Sequence, residues 1–144
     1  MSINNTIFEE IIPDNDQIIT LYDLLNRRTH RISHNNLPSF DEHKLFVDNH
    51  PYRAWYLVNF RAMAIGSFYI SKDNAIAINL VDKESVDLIS KIIMFVCDKY
   101  TPLKPIPSVR SGMFAINVAP SNEFLLDAMN EIGAKVAQTT FFIP

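Results

Sequence analysis

The sequence predicts an α/β fold, of the α+β kind, in which a mixed, mostly antiparallel central sheet is flanked by helices. Three observations lead there. Residues 53–81 contain three runs rich in aromatic and β-branched residues, separated by short turns, which is the pattern of an antiparallel meander. Residues 83–99 spread apolar side chains widely around a helix, as expected of a helix packed on a sheet. Residues 113–133 read as a strand, a break at Pro120, a helix with apolar positions at helical spacing, and a stop at Gly133.

Taken in order, Ile7 to Ile12 reads as a strand, and Pro13-Asp14-Asn15-Asp16 as a turn and helix entry. Asp16 is the expected N-cap of a helix reaching about Arg28, with Ile18, Leu21, Tyr22, Leu24 and Leu25 as its apolar stripe. Ser39 and Glu42 have the spacing of a capping box, which starts a short helix through Val47; His50-Pro51 ends it. Strands are expected at Arg53 to Asn59, Met63 to Ser71 and Asn74 to Val81, with turns at Phe60-Arg61-Ala62 and Lys72-Asp73. A helix from Lys83 to about Lys99 follows, then a three-proline loop over 101–112 and a strand at Met113 to Val118. The last helix opens at Asn122, and a final strand is expected at Ala134 to Ile143. The order is β-α-α-β-β-β-α-β-α-β, without repeats.

The length of 144 residues suits one domain spanning 1–144, and 48% apolar content suffices for one core. A net charge of -3 gives no basic stripe for nucleic acid. The first ten residues lack a secretory signal, and the longest apolar run, Ile92 to Cys97, is too short to cross a bilayer. A single cysteine, Cys97, forms no internal disulfide and is expected to face the core. The four histidines and Cys97 show no metal-ligand spacing, and His43 and His50 read as a helix-surface and a turn residue. These readings describe a soluble, cytoplasmic protein without nucleic-acid, membrane or metal partners. The aromatic edge of the meander offers a place for two copies to pair as a homodimer.

Val118, Asn122, Leu125, Ala128, Met129 and Gly133 occupy the positions of a strand end, helix opening, helix stripe and glycine stop. That block resembles the last conserved block of the GNAT superfamily of N-acetyltransferases, and the element order of most of the chain is the order of that superfamily. Ser39-Phe-Asp-Glu-His43, Trp55-Tyr-Leu-Val58 and Ile65-Gly66-Ser-Phe-Tyr-Ile70 look like the acceptor-side helix and first meander strands of members acting on nucleotide amino sugars. The resemblance implies acetyl-CoA as co-substrate, lying where the fourth and fifth strands splay apart. It implies cofactor contacts from Asn79, Leu80 and Val81, from Asn117, and from Asn122 toward the pantetheine arm. As an ordinary N-cap, Asn122 also has a purely structural reason to be there.

Two departures from the family pattern stand out. The family holds the CoA pyrophosphate on a glycine-rich turn at a helix N-terminus. Here the stretch Leu80-Val-Asp-Lys-Glu-Ser-Val-Asp87 has no glycine, and three carboxylates fall at the expected helix start. Such acids favour the helix dipole by about 0.3–1 kcal/mol each. They also repel a phosphate charge about 8 Å away by roughly 0.5 kcal/mol in water, or about 2 kcal/mol at an effective dielectric near 20. Second, Met129 stands where many members carry a tyrosine acid, and Met has no proton to give. Tyr69 is the remaining tyrosine candidate for that role.

The local concentration of basic residues, Arg27-Arg28-Thr-His30-Arg31-Ile-Ser-His34-Asn-Asn36, lies in the loop that covers the acceptor in the family. Arg28, Arg31 and Asn36 are candidate acceptor contacts, and His34 a candidate base. Arginines there also complement the C-terminal dipole of the preceding helix. Two functions follow as expectations. One is an N-acetyltransferase, a transferase moving acetyl from acetyl-CoA to the primary amine of a small molecule, with an amino sugar or nucleotide amino sugar leading. The other is a diverged member without CoA binding, which uses the cleft to hold a ligand or a partner protein.

Overall fold

The computed structural model describes residues 5–28, 37–81 and 85–144. Its elements are β1 (Thr6–Glu10), α1 (Asn15–Asn26), α2 (Phe40–Asp48), β2 (Ala54–Phe60), β3 (Met63–Ile70), β4 (Ala75–Leu80), α3 (Val86–Lys99), β5 (Ala115–Ile116) and α4 (Glu123–Glu131). The sheet order is β1-β2-β3-β4-β5. The first four strands pair antiparallel, and β5 joins β4 in parallel, so the sheet is mixed as the sequence predicts. Strand β1 covers the β2 edge of the meander along its length, whereas β5 covers only Ala75 and Ile76 of β4. The outer strands of the sheet are β1 and β5.

Strand alternation sends side chains to two separate cores. On one face Tyr56, Phe68, Ile76 and Ile78 pack with Leu88, Ile92 and Val96 of α3 and with Leu125 and Ala128 of α4. Rings of Phe8, Tyr56, Phe68 and Phe95 meet there, most of them edge to face. On the other face Trp55 and Leu57 pack with Ile18, Leu21 and Leu24 of α1 and Val47 of α2.

Caps account for where the helices begin. Asp14, not Asp16, caps α1: its Oδ1 accepts from the Gln17 N–H at 2.8 Å, while Gln17 Oε1 accepts from the Ile12 N–H. This reciprocal pair outcompetes Asp16 because Gln17 lies three residues after Asp14. The expected capping box of α2 is present, with Ser39 Oγ accepting from the Glu42 N–H at 3.2 Å. Helix α3 starts at Val86, capped by Ser85, and not at Lys83. Asp82 and Glu84 therefore precede the cap in sequence, and Asp87 is the acid within the first turn. Asn122 caps α4 through Leu125, and Gly133 ends it at φ +83°. There Ala134 N–H donates to Met129 O and Gly133 N–H to Asn130 O, a Schellman closure.

Four further expectations are corrected. Cys97 is exposed, one residue past the buried Val96 on α3. His43 is 5% exposed beneath α1 instead of lying on the helix surface. Strand β5 is two residues long instead of spanning Met113 to Val118, because it diverges from β4 after Ile116. No strand forms over Ala134 to Ile143; Val136, Phe141, Phe142 and Ile143 are each at least 79% exposed. These residues have strand propensity but no neighbouring strand against which to pair, and pairing decides strand formation.

Candidate active site

The site is built on the end of β4. Ser71 N–H donates to Ala75 O and Val81 N–H donates to Ile65 O, and the β3–β4 register is regular between them. With a two-residue period, Ala75, Ala77, Asn79 and Val81 turn their backbone groups toward β3. Ile76, Ile78 and Leu80 turn theirs the other way. Ile76 meets β5, but no β5 residue pairs with β4 beyond it. The N–H and C=O groups of Ile78 and Leu80 thus line a gap between two diverging parallel strands.

Asn74 fixes where that divergence begins. Its side chain is fully buried: Nδ2 donates to Leu103 O and Ser111 O, both at 2.9 Å, and Oδ1 accepts from Leu103 N–H at 2.7 Å. Its carbonyl accepts from Ala115 N–H. One residue therefore holds the proline loop and the start of β5 against β4. It does so at φ +66°, a left-handed conformation that Asn tolerates better than most residues. Gly66 sets the opposite boundary, since a Cβ there would stand 2.7 Å from Leu80 Cδ2 and 2.9 Å from Leu80 Cα.

Asn79 and Val81 place their side chains on the other face, where they line a cavity of about 270 Å3 between the sheet, α1 and α2. Its aromatic wall includes Phe46, Tyr52, Trp55 and Tyr69. Tyr52 stacks on Tyr69 with ring centroids 3.7 Å apart and meets Trp55 edge-on at 5.1 Å. Burial, followed by the neighbouring Tyr69, pushes the Tyr52 hydroxyl well above the usual tyrosine range, so it stays protonated. Polar groups come from Arg28, Glu42, His43, Ser67 and Asn79. Burial holds the His43 imidazole below its usual pKa, with the hydrogen bond to Ile18 O opposing this. Its Nε2 lies 3.3 Å from that carbonyl, which can only accept, so Nε2 carries the proton and Nδ1 the lone pair.

The candidate residues divide in space. Tyr69, Asn79, Val81 and Arg28 meet at the cavity. Leu80 sends its side chain into the α3 and α4 core while its backbone faces the gap. Asn117 is exposed just past β5, and the Asn122 side chain is engaged as the α4 cap. Met129 packs against the core below. His34, Arg31 and Asn36 lie outside the described residues, as does the 82–84 stretch. His43 and Trp55 stood in segments that resemble the family's acceptor side but were given no role, and Tyr52 and Asn74 were not singled out by the sequence. A signal existed for two of them: His43 is four residues after a capping serine, and Asn74 follows Lys72-Asp73 in a turn. Among the described residues no cluster of three His, Cys, Asp or Glu side chains is placed to hold a metal, and no helix is long and apolar enough to cross a membrane.

No protein-family model matches the chain, and no curated protein matches it by sequence. Solved structures do match it in shape. The aminoglycoside N-acetyltransferase AAC(6')-Iy, in complex with the bisubstrate analogue CoA-S-monomethyl-acetylneamine, superimposes with a TM-score of 0.62 at 12% identity, over 96% of this chain and 97% of that one. An aminoglycoside acetyltransferase from an uncultured soil metagenomic sample, in complex with sisomicin, gives 0.55 at 13% identity over 99% of both chains. A possible acetyltransferase from Clostridium difficile 630 gives 0.54 at 12% identity over 96% of both. These likenesses show a shared fold, that of the GNAT acetyltransferases, and the mixed sheet flanked by helices agrees with it.

Proposed function

We propose that this chain, on its GNAT fold, is an N-acetyltransferase that moves an acetyl group from acetyl-CoA to a primary amine. The observation that carries the reading is the gap after Ile76, where the Ile78 and Leu80 backbones are left without a strand partner beside a cavity on the opposite face. An extended, amide-bearing arm such as pantetheine supplies the hydrogen bonds that a fifth strand does not. The fold neighbours that carry a CoA-linked analogue or an aminoglycoside support the same assignment.

In this reading the amine nitrogen attacks the thioester carbonyl carbon, the carbon–sulfur bond breaks, and CoA leaves with the thiolate electrons. The Leu80 N–H is the donor for the carbonyl oxygen, worth about 2.7–4 kcal/mol of barrier by comparison with single oxyanion donors. His43, neutral at physiological pH, is the base that the fold adds to the sequence candidate His34. Tyr69 is the acid toward the thiolate. Asn117 and Asn122 approach the pantetheine arm, and Arg28, Arg31 and Asn36 the acceptor. For the amino-sugar acceptor suggested by the sequence, the cavity offers both aromatic surface and polar partners in Arg28, Glu42, His43, Ser67 and Asn79. Two copies pairing in solution also belongs to this reading, supported by the uncovered Phe141, Phe142 and Ile143.

A second reading, a binding module that has lost the cofactor, is favoured by one feature: Ser85 and Asp87, not glycines, occupy the start of α3. Calorimetric titration with acetyl-CoA, followed by an assay of thiol release with mixed primary amines, separates the two. Binding and amine-dependent thiol release support the transferase. A protein that takes up no acetyl-CoA would establish the module.

A further inference from the structure

Two polar side chains stand on the sheet side of the cavity without partners. The register of β2, β3 and β4 puts Leu57, Ser67 and Asn79 in one row across the sheet. Leu57 packs with α1, so Ser67 and Asn79 turn their side chains to that same face, where both line the cavity. Val81 N–H donates to Ile65 O, so Ser67 and Asn79, two residues along each strand, are again a hydrogen-bonded pair, with Cα atoms about 5.5 Å apart. Their backbones are thereby occupied, and only their side chains are open to a ligand. Ser67 is 9% exposed, and neither side chain has a hydrogen-bond partner among the described residues. Trp55 Nε1 is sealed from solvent, whereas Ser67 Oγ is not and meets the cavity space. A buried hydroxyl ordinarily finds a partner, and one left open in a cavity costs stability until a ligand supplies it. On the helix side the polar groups are engaged: Glu42 Oε1 accepts from Ser39 Oγ, and His43 Nε2 is bound to Ile18 O. Asn79 is also followed by Leu80, whose backbone lines the gap between β4 and β5.

We infer that Ser67 and Asn79 hold the amino group of the acceptor and present it to a thioester laid along the gap. The inference rests on the acetyltransferase reading, and it moves Asn79 from the cofactor to the acceptor. Ser67 Oγ and Asn79 Oδ1 each accept one amine N–H, which leaves the nitrogen lone pair for the carbonyl carbon. Both oxygens are neutral, so they do not lock the amine in its ammonium form as a carboxylate would. As the carbon–nitrogen bond forms and the carbon–sulfur bond breaks, CoA leaves as thiolate and the surplus amine proton passes to the His43 imidazole.

An amine built into the chain tests this without knowledge of the acceptor. In Asn79→Lys the new side chain carries its own primary amine to the place where the acceptor nitrogen is held. The full-length variant is incubated with acetyl-CoA and its acetylation mapped by mass spectrometry, with native lysines such as Lys44 and Lys99 as internal references. Position 79 is expected to be acetylated at least about tenfold faster than any of them. Adding Ser67→Ala is expected to slow that reaction about fivefold, the loss of one neutral hydrogen bond. Ser67→Ala alone is expected to melt at or above the wild-type temperature, because it removes a buried hydroxyl that has no partner. Where Asn79→Lys does not fold or bind acetyl-CoA, Asn79→Cys in a Cys97→Ser background, aminoethylated with 2-bromoethylamine, carries an equivalent amine. Acetylation at position 79 no faster than at the reference lysines, in a variant that binds acetyl-CoA by calorimetry, overturns the inference and leaves the transferase reading standing. A rate unmoved by Ser67→Ala, or a lower melting temperature in Ser67→Ala alone, overturns the role of Ser67. A wild-type protein that binds no acetyl-CoA overturns both readings.

Discussion

At the scale of single residues, Asn74 and His43 carry the most consequence for their size. Asn74→Ala leaves two part-buried carbonyls and one part-buried N–H without their partners and places alanine at φ +66°. The expected loss is about 2–4 kcal/mol in urea unfolding, from unsatisfied groups at about 1–3 kcal/mol apiece, partly relieved by water. Because the same residue anchors β5, acetyl-CoA affinity should fall in the variant even where it is folded. His43 makes a prediction in pH. Its folded pKa lies below the ordinary 6.5, so the unfolded chain binds more protons at acid pH. The stability it contributes is present above pH 6.5 and is lost as pH falls through that value. His50, also lowered by burial and by Lys72, acts in the same direction. His43→Gln should flatten part of the stability loss as pH falls below about 6.5, read by thermal melts, and should cut turnover by about 10²–10⁴ if the imidazole is the base. A variant with wild-type turnover would return the base role to His34.

At the scale of elements, one turn and one close approach decide how β4 is presented. The β2–β3 hairpin closes through Arg61 and Ala62, both left-handed, at φ +50° and +64°. A two-residue hairpin needs that geometry, and Asn-Gly is its favoured sequence. Ala62→Gly should therefore stabilise the protein by about 0.5–1 kcal/mol, the left-handed penalty of alanine less the added chain entropy of glycine. An unchanged or lower denaturation midpoint would show that the turn is not strained. Gly66→Ala should act oppositely, pushing against Leu80 and costing about 1–3 kcal/mol, as overpacking usually does. It also moves the backbone that lines the gap, so acetyl-CoA binding should weaken more than stability alone explains. The turn was visible in the sequence as a break. The handedness at Ala62 was not, since nothing in Phe60-Arg61-Ala62 signals a positive φ.

At the scale of the whole molecule, ligand binding and folding share one equilibrium. Acetyl-CoA at about a hundred times its dissociation constant should add roughly 2.7 kcal/mol to stability. For a chain of this size that corresponds to a rise in Tm of about 5–12 °C. With Ser85 as cap, Asp87 is the acid in the first turn of α3, and Asp82 and Glu84 fall before it. A melting temperature unmoved by acetyl-CoA would mean that the absent glycines, not the acids, are decisive.

The periodicities of the chain determined by themselves the order of the elements as far as α4, the meander, the caps of α2 and α4, and the glycine stop. Each of these is a local property, set by hydrogen-bonding side chains within three or four residues or by apolar spacing along one element. The resemblance built on that order pointed to the fold that the solved structures share. Tertiary structure alone decided what the cap spacing left open. It turned Cys97 outward, buried His43, and cut β5 to two residues. It left Ala134 to Ile143 without a strand partner. It also divided Asn79, Leu80 and Val81 between the cavity and the gap, which depends on the β3–β4 register and the point where β5 departs. Register, burial and strand divergence arise from contacts between residues far apart in sequence, such as Asn74 with Leu103 and Ser111, and no local pattern encodes them.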